Sequence, residues 1–171
     1  GGASSTVSQS ANPTVAYHGG EIFLAWQDDP IAQIFAVRYT AARARQAIGT
    51  TAPGISASIG HATRPSLASG GSNLYLAFAS DDPADTSLRS NLNALRWNGT
   101  GFVEELAQEA SAGGISTTGG FVQSLRLAVD NSGRLYAGGF FTTAGGTPAR
   151  YIAMWDGSGW SALGSGVNGT V

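Results

Sequence analysis

Asn93-Ala94-Leu95-Arg96-Trp97-Asn98-Gly99-Thr100-Gly101-Phe102 returns 58 residues later as Tyr151-Ile152-Ala153-Met154-Trp155-Asp156-Gly157-Ser158-Gly159-Trp160. The shared pattern is Trp, then Asn or Asp, Gly, Ser or Thr, Gly, and an aromatic. Asn-Gly and Asp-Gly accept the positive φ of tight hairpin turns, and short apolar runs flank both. Each copy therefore reads as two strands joined by a turn. Phe35-Ala36-Val37-Arg38-Tyr39 stands another 58 residues upstream, with Tyr39-Thr40-Ala41-Ala42 in place of the Trp-Asx-Gly turn.

A second hairpin precedes each of these. Pro13-Thr14-Val15-Ala16, Gly19-Gly20 and Ile22-Phe23-Leu24-Ala25-Trp26 form the first copy. Pro65-Ser66-Leu67-Ala68, Gly70-Gly71 and Leu74-Tyr75-Leu76-Ala77-Phe78 form the second. Leu125 to Val129, Asp130-Asn131-Ser132-Gly133 and Leu135 to Gly139 form the third. Each unit thus holds two hairpins, or four strands, within roughly 50 to 60 residues. Ala36–Ile48 and Val103–Ala112 have helix-friendly composition, but the repeat frame assigns them to strands. Phe102-Val103-Glu104-Glu105-Leu106 aligns with Trp160-Ser161-Ala162-Leu163.

Four antiparallel strands per repeat predict an all-β, β-propeller-type array of about three blades. The blades are expected at about 10–60, about 63–115 and about 122–166, with 167–171 opening the next. Closed propellers have roughly four to eight blades. The array is therefore expected to be incomplete, or completed by further sequence or another chain. Ala16, Ala25, Ala68, Ala77, Ala128 and Ala137 suit the narrow end near the axis. Trp26, Phe78, Trp97, Phe102, Trp155 and Trp160 are large enough to fill the space between blades.

From Leu127 onward the chain resembles the repeats of secreted bacterial β-propeller proteins, with Kelch-like architecture. The residues carrying the resemblance are Gly138-Gly139-Phe140-Phe141-Thr142-Thr143-Ala144-Gly145-Gly146, Ile152 to Gly157, and Trp160 to Val171. The resemblance implies an extracellular or cell-surface location.

Composition narrows the partners. Charged residues make up 12% of the chain and the net charge is -2, which disfavours nucleic acid and anionic membranes. All nine basic residues are Arg, dispersed from Arg38 to Arg150. With no Cys, thiol catalysis, thiolate metal sites and disulfides are excluded. No apolar run approaches the roughly 20 residues of a membrane span, so no membrane insertion is expected. Gly1 to Ser5 has neither a charged nor an apolar leader region, as expected of a mature or excised segment.

Candidate sites are few. Asp28-Asp29-Pro30 and Asp81-Asp82-Pro83 each follow the second strand of a unit. Asp28, Asp29, Asp81 and Asp82 are calcium candidates, since Ca²⁺ favours clustered carboxylates, although Asp-Pro also starts turns. No other cofactor is expected. Asp130 to Gly133 lacks the later ligands of a calcium loop and reads as a turn. His18, expected to be exposed, and His61 are the only histidines. Glu104, Glu105 and Glu109 lack the cleft-spanning separation that glycoside hydrolysis needs. Asn98-Gly99-Thr100 and Asn168-Gly169-Thr170 match the glycosylation sequon, though the repeat turn explains both.

Repetition without a catalytic set leads to the expectation of a non-enzymatic extracellular module, acting as scaffold, adhesion or protein-binding unit. Its partners would be other protein chains or further blades. Two alternatives stand beside it: a carbohydrate-binding propeller, and part of a propeller hydrolase whose active site lies outside this segment.

Overall fold

The computed structural model describes residues 9–29, 32–48, 54–56, 61–81, 90–103 and 124–167. Among these residues every regular element is a strand. The first sheet is β1 (Gln9–His18), β2 (Glu21–Asp29), β3 (Gln33–Tyr39) and β4 (Arg45–Ile48), paired antiparallel in chain order. The second repeats this with β5 (His61–Gly70), β6 (Asn73–Asp81), β7 (Ser90–Trp97) and β8 (Phe102–Val103). The third unit runs β9 (Arg126–Val129), β10 (Leu135–Gly138), a short hairpin β11 (Thr143–Ala144) and β12 (Thr147–Pro148), then β13 (Ile152–Trp155) and β14 (Trp160–Ala162). Its main sheet is β9-β10-β13-β14, with β11 and β12 paired separately. The chain is an all-β array of three four-stranded antiparallel β-propeller blades.

The first strands β1, β5 and β9 adjoin one another and so lie nearest the axis. Alternation along each strand gives every blade two apolar faces. Phe23, Ala25, Ile34, Ala36 and Ile48 of blade 1 pack on Leu67, Leu74, Leu76, Phe78 and Leu95 of blade 2. On the other side of blade 2, Tyr75, Ala77, Ala79, Leu92 and Ala94 pack on Leu135, Ala137, Ala153, Trp155 and Trp160 of blade 3. A large side chain fully buried in such a seam stabilises by about 1.5–3 kcal/mol. Edge-on aromatic contacts reinforce the first seam: Phe23 meets Trp97 at 5.1 Å between ring centroids, and Trp97 meets Phe102 at 5.5 Å.

The repeated turn has repeated chemistry. Asn98 Oδ1 accepts from the Thr100 N–H, the Thr100 hydroxyl and the Gly101 N–H. Asp156 Oδ1 accepts from the Ser158 N–H, the Ser158 hydroxyl and the Gly159 N–H. Gly99 and Gly157 supply the left-handed residue, with φ of 100° and 101°. These bonds, that of the Ser158 hydroxyl first, hold the Asp156 carboxyl below its ordinary range.

One expectation holds, one falls mostly outside the described residues and one changes. The segment 36–48 forms strands, and its hairpin closes without a Trp-Asx-Gly turn. Arg43 takes φ of 59°, and Thr40 N–H bonds to the Ala44 carbonyl instead. Of Val103–Ala112, residues 104–112 lie outside the described residues. Trp26 does not fill a seam between described blades. It stacks on Phe35 at 6.1 Å, on the face of blade 1 that points away from blade 2.

Candidate functional site: a pocket at the ends of the inner strands

The inner strands of blades 1 and 2 break at the same place. The β1–β2 ladder shifts register between Ala11 and Thr14, and the β5–β6 ladder between Thr63 and Ser66. At the break the chain turns left-handed at a non-glycine residue: Asn12 (φ 51°), Arg64 (φ 54°) and, just before β9, Ser124 (φ 57°). Register makes the three equivalent. Val15, Leu67 and Leu127 each lie three residues on, opposite Leu24, Leu76 and Ala137. Pro13 and Pro65 follow the first two, and a proline suits a bulge because it has no N–H to leave unpaired. Left-handed non-glycine residues cost about 1–3 kcal/mol each and gather at functional sites.

The three left-handed positions converge. Residues 12–14, 64–66 and 124–126 line one open cavity of about 400 Å³. It presents the Asn12 amide, the Thr14, Ser66 and Ser124 hydroxyls, and the guanidinium groups of Arg64 and Arg126. Side chains stitch the blades together there. Gln27 Oε1 accepts from Asn12 Nδ2 at 3.0 Å and from the Arg64 N–H at 3.3 Å. Gln27 Nε2 donates to Asp29 Oδ1 at 2.7 Å. Thr14 Oγ1 accepts from the Leu67 N–H at 3.1 Å, joining β1 to β5.

Asp28, Asp29 and Asp81 lie at this same end of the strands. Asp28, fully buried, pairs across the ladders with Ser10 and Gln33, and Asp29 pairs with Gln9. As neighbours on one strand they occupy opposite faces of the blade. Asp81 pairs with His61, which makes it the equivalent of Asp29, one residue out of step with the sequence match. Asp82 lies outside the described residues, as do Glu104, Glu105, Glu109 and Asn168. Among the described residues no group of three or more acidic or histidine side chains could hold a metal.

Asp130 is fully engaged in its own turn. Oδ1 accepts from the Ser132 N–H, the Ser132 hydroxyl and the Arg134 N–H, and Oδ2 from Arg134 Nε and the Tyr136 hydroxyl. These bonds, the Ser132 hydroxyl first, hold its carboxyl well below the usual carboxylate range. A depressed pKa gives stability that is full above the unfolded value, about 3.9, and is lost as pH falls through the folded one. The gap in urea midpoint between the wild type and Asp130→Ala is therefore expected to hold from pH 7 to about pH 4 and to shrink below it. A gap independent of pH would refute the charge-assisted turn.

His18 and His61 lie at opposite ends of equivalent ten-residue strands. At about 3.3 Å per residue that separates them by roughly 30 Å, too far for one site. His18 is half-buried rather than exposed, with Nδ1 2.9 Å from Ser69 Oγ of blade 2. Asn12, Gln27, Arg64, Ser124 and Arg126 carry no recognisable motif. Asn12 and Arg64 carried one signal, the proline that follows each and breaks a strand pattern, whereas Gln27, Ser124 and Arg126 carried none.

No protein-family model matches the sequence, and no curated protein matches it significantly. Solved structures share the fold, two of them at a TM-score of 0.50 or above. One is a glycosyl hydrolase from Bacteroides ovatus, with TM-score 0.51 and 10% identity, over 91% of this chain and 49% of that one. The other is an exo-1,5-α-L-arabinanase from a bovine ruminal metagenomic library, with TM-score 0.50 and 13% identity, over 88% of this chain and 53% of that one. The chain spans about half the length of both. The expectation of a non-enzymatic chain is thereby corrected, because the fold is one that glycosyl hydrolases use. Its physical reason is that repetition specifies the blades, whereas site residues are departures from the repeat and leave no motif.

Proposed function

We propose that this chain is part of a propeller glycoside hydrolase and that the cavity at the ends of its inner strands binds the saccharide. The observation that carries this is the left-handed residue that recurs at Asn12, Arg64 and Ser124. Three blades each hold a strained polar residue at one equivalent position, and all three face one cavity. Hydroxyl, amide and guanidinium groups around a cavity of about 400 Å³ suit one or two sugar units. Cleavage of a glycosidic bond requires two carboxyl groups set across the bond. The nine lining residues include none, so the cleaving pair stands outside this lining and the cavity acts as the binding subsite. Secretion fits an enzyme that meets polymeric glycans outside the cell.

The test is a panel of aryl glycosides and oligosaccharides incubated with the whole protein to which this chain belongs. Hydrolysis of at least one is expected. Asn12→Gly, which keeps the left-handed backbone, is expected to raise KM by about two- to tenfold, since one hydrogen bond to a bound ligand is worth about 0.5–1.5 kcal/mol, and its thermal midpoint, lowered by the lost bond to Gln27, is read beside it. A protein that cleaves nothing on the panel would overturn the hydrolase reading.

A further inference from the structure

Two of the nine residues lining the cavity are arginines, and the fold does not require them there. At the left-handed position the three blades hold Asn12, Arg64 and Ser124, and two residues on they hold Thr14, Ser66 and Arg126. Small amides and hydroxyls satisfy four of these six equivalent places. Asn tolerates a left-handed backbone far better than Arg does, so Arg64 is a costly choice for a bulge. The two arginines stand on adjoining blades and line the same cavity. Both side chains are exposed there. The nine lining residues therefore carry two guanidinium groups and no carboxylate.

Arg126 is also pre-oriented. Its Nη1 donates to the neighbouring Leu125 carbonyl at 2.7 Å, which fixes the plane of the guanidinium. The remaining N–H groups keep the fork geometry that matches a carboxylate or a sulfate ester in two parallel bonds. The hydroxyls of Ser66 and Ser124, in the same tripeptides, are suited to the ring hydroxyls of the same sugar.

We propose that this cavity selects an acidic saccharide, with Arg64 and Arg126 gripping its anionic group. The inference deepens the glycoside-hydrolase reading and rests on it for the saccharide, but its test does not depend on cleavage. Calorimetric titration of the protein compares a uronic-acid trisaccharide, a sulfated neutral trisaccharide, the unmodified neutral trisaccharide and inorganic sulfate. Either acidic sugar is expected to bind at least tenfold tighter than the neutral one, and the tighter of the two names the acid. Binding is expected to weaken at least tenfold in Arg126→Gln and in Arg64→Gln, and to fall with added salt. Arg126→Lys is expected to recover only part of the loss, because an ammonium keeps the charge without the fork. The thermal midpoint of each variant separates lost binding from lost folding.

Equal affinity for neutral and acidic sugars would overturn the proposal. So would inorganic sulfate binding as tightly as the acidic sugars, or arginine variants that fold and bind unchanged. The two readings fail separately. Cleavage of neutral glycosides with no acidic preference removes this inference and leaves the hydrolase. Tight binding of acidic sugars with no cleavage of any glycoside does the reverse.

Discussion

Replacing Phe78 with Ala is expected to lower the free energy of unfolding by about 3–5 kcal/mol, read as a fall in the urea midpoint. The phenyl ring is fully buried and belongs to the cluster that binds blade 2 to blade 1 through Phe23 and Ile34. Removing it leaves a void lined by two blades held rigid by their own ladders, so little collapse can fill it. Domains are stable by only about 5–15 kcal/mol, so the variant is expected to sit near its unfolding threshold at 37 °C. A paired comparison isolates the seam. Leu74 and Ile22 start equivalent second strands, yet Leu74 is 0% exposed and Ile22 is 48% exposed. Leu74→Ala is expected to cost about 2–5 kcal/mol, and Ile22→Ala well under half of that. Equal losses would mean that the two blades do not meet as described.

The repeat made the blades legible because it combines two independent signals. Asn98-Gly99 and Asp156-Gly157 fix where the chain turns, and the apolar alternation around Trp97 and Trp155 fixes which side faces a neighbour. Register was less legible. Ala137 looks like the match of Ala77 by sequence, yet it pairs with Leu127 as Leu76 pairs with Leu67. The inner turn of blade 3 is one residue longer, and a one-residue slip swaps the faces of a strand. The same kind of slip misaligned the two Asp pairs. The cavity was not legible at all, since its making is a property of three left-handed positions meeting. Nothing in Arg64-Pro65-Ser66 alone says that Ser124 and Asn12 will stand beside it. Gln27 was equally hidden. Its role comes from reaching both Asn12 and the Arg64 N–H across a seam, which no spacing along the chain reveals.

Gly70→Val is expected to be the most damaging change outside the apolar seams, at or above the ~3 kcal/mol upper end of ordinary overpacking. Gly70 ends β5, where the inner hairpin of blade 2 leans on that of blade 3. A Cβ there would lie 2.7 Å from the Asp130 carbonyl oxygen and closer still to that of Val129. Both are backbone atoms fixed in the β9 hairpin, so neither can yield as a flexible side chain would. Asn73 Nδ2, donating to the Gly133 carbonyl at 3.0 Å, clamps the same contact from the other strand. Blade 1 supplies the control. The residue equivalent to Gly70 there is His18, whose side chain is accommodated beside the Ser69 hydroxyl of blade 2. Gly19, in the adjoining turn of blade 1, has φ of 58°, and a Cβ on it would meet no heavy atom within 4 Å. Gly19→Ala is therefore expected to cost only the left-handed backbone penalty of about 1–2 kcal/mol. Gly70 carries no such penalty, and Gly→Ala at a permissive backbone usually stabilises by about 0.4–1 kcal/mol. Any loss in Gly70→Ala, and the larger one in Gly70→Val, is thus steric and reports how closely blades 2 and 3 approach. Urea midpoints for the three variants decide it: a Gly70→Val protein as stable as Gly19→Ala would show that the seam is looser than the backbone of β5 and β9 implies.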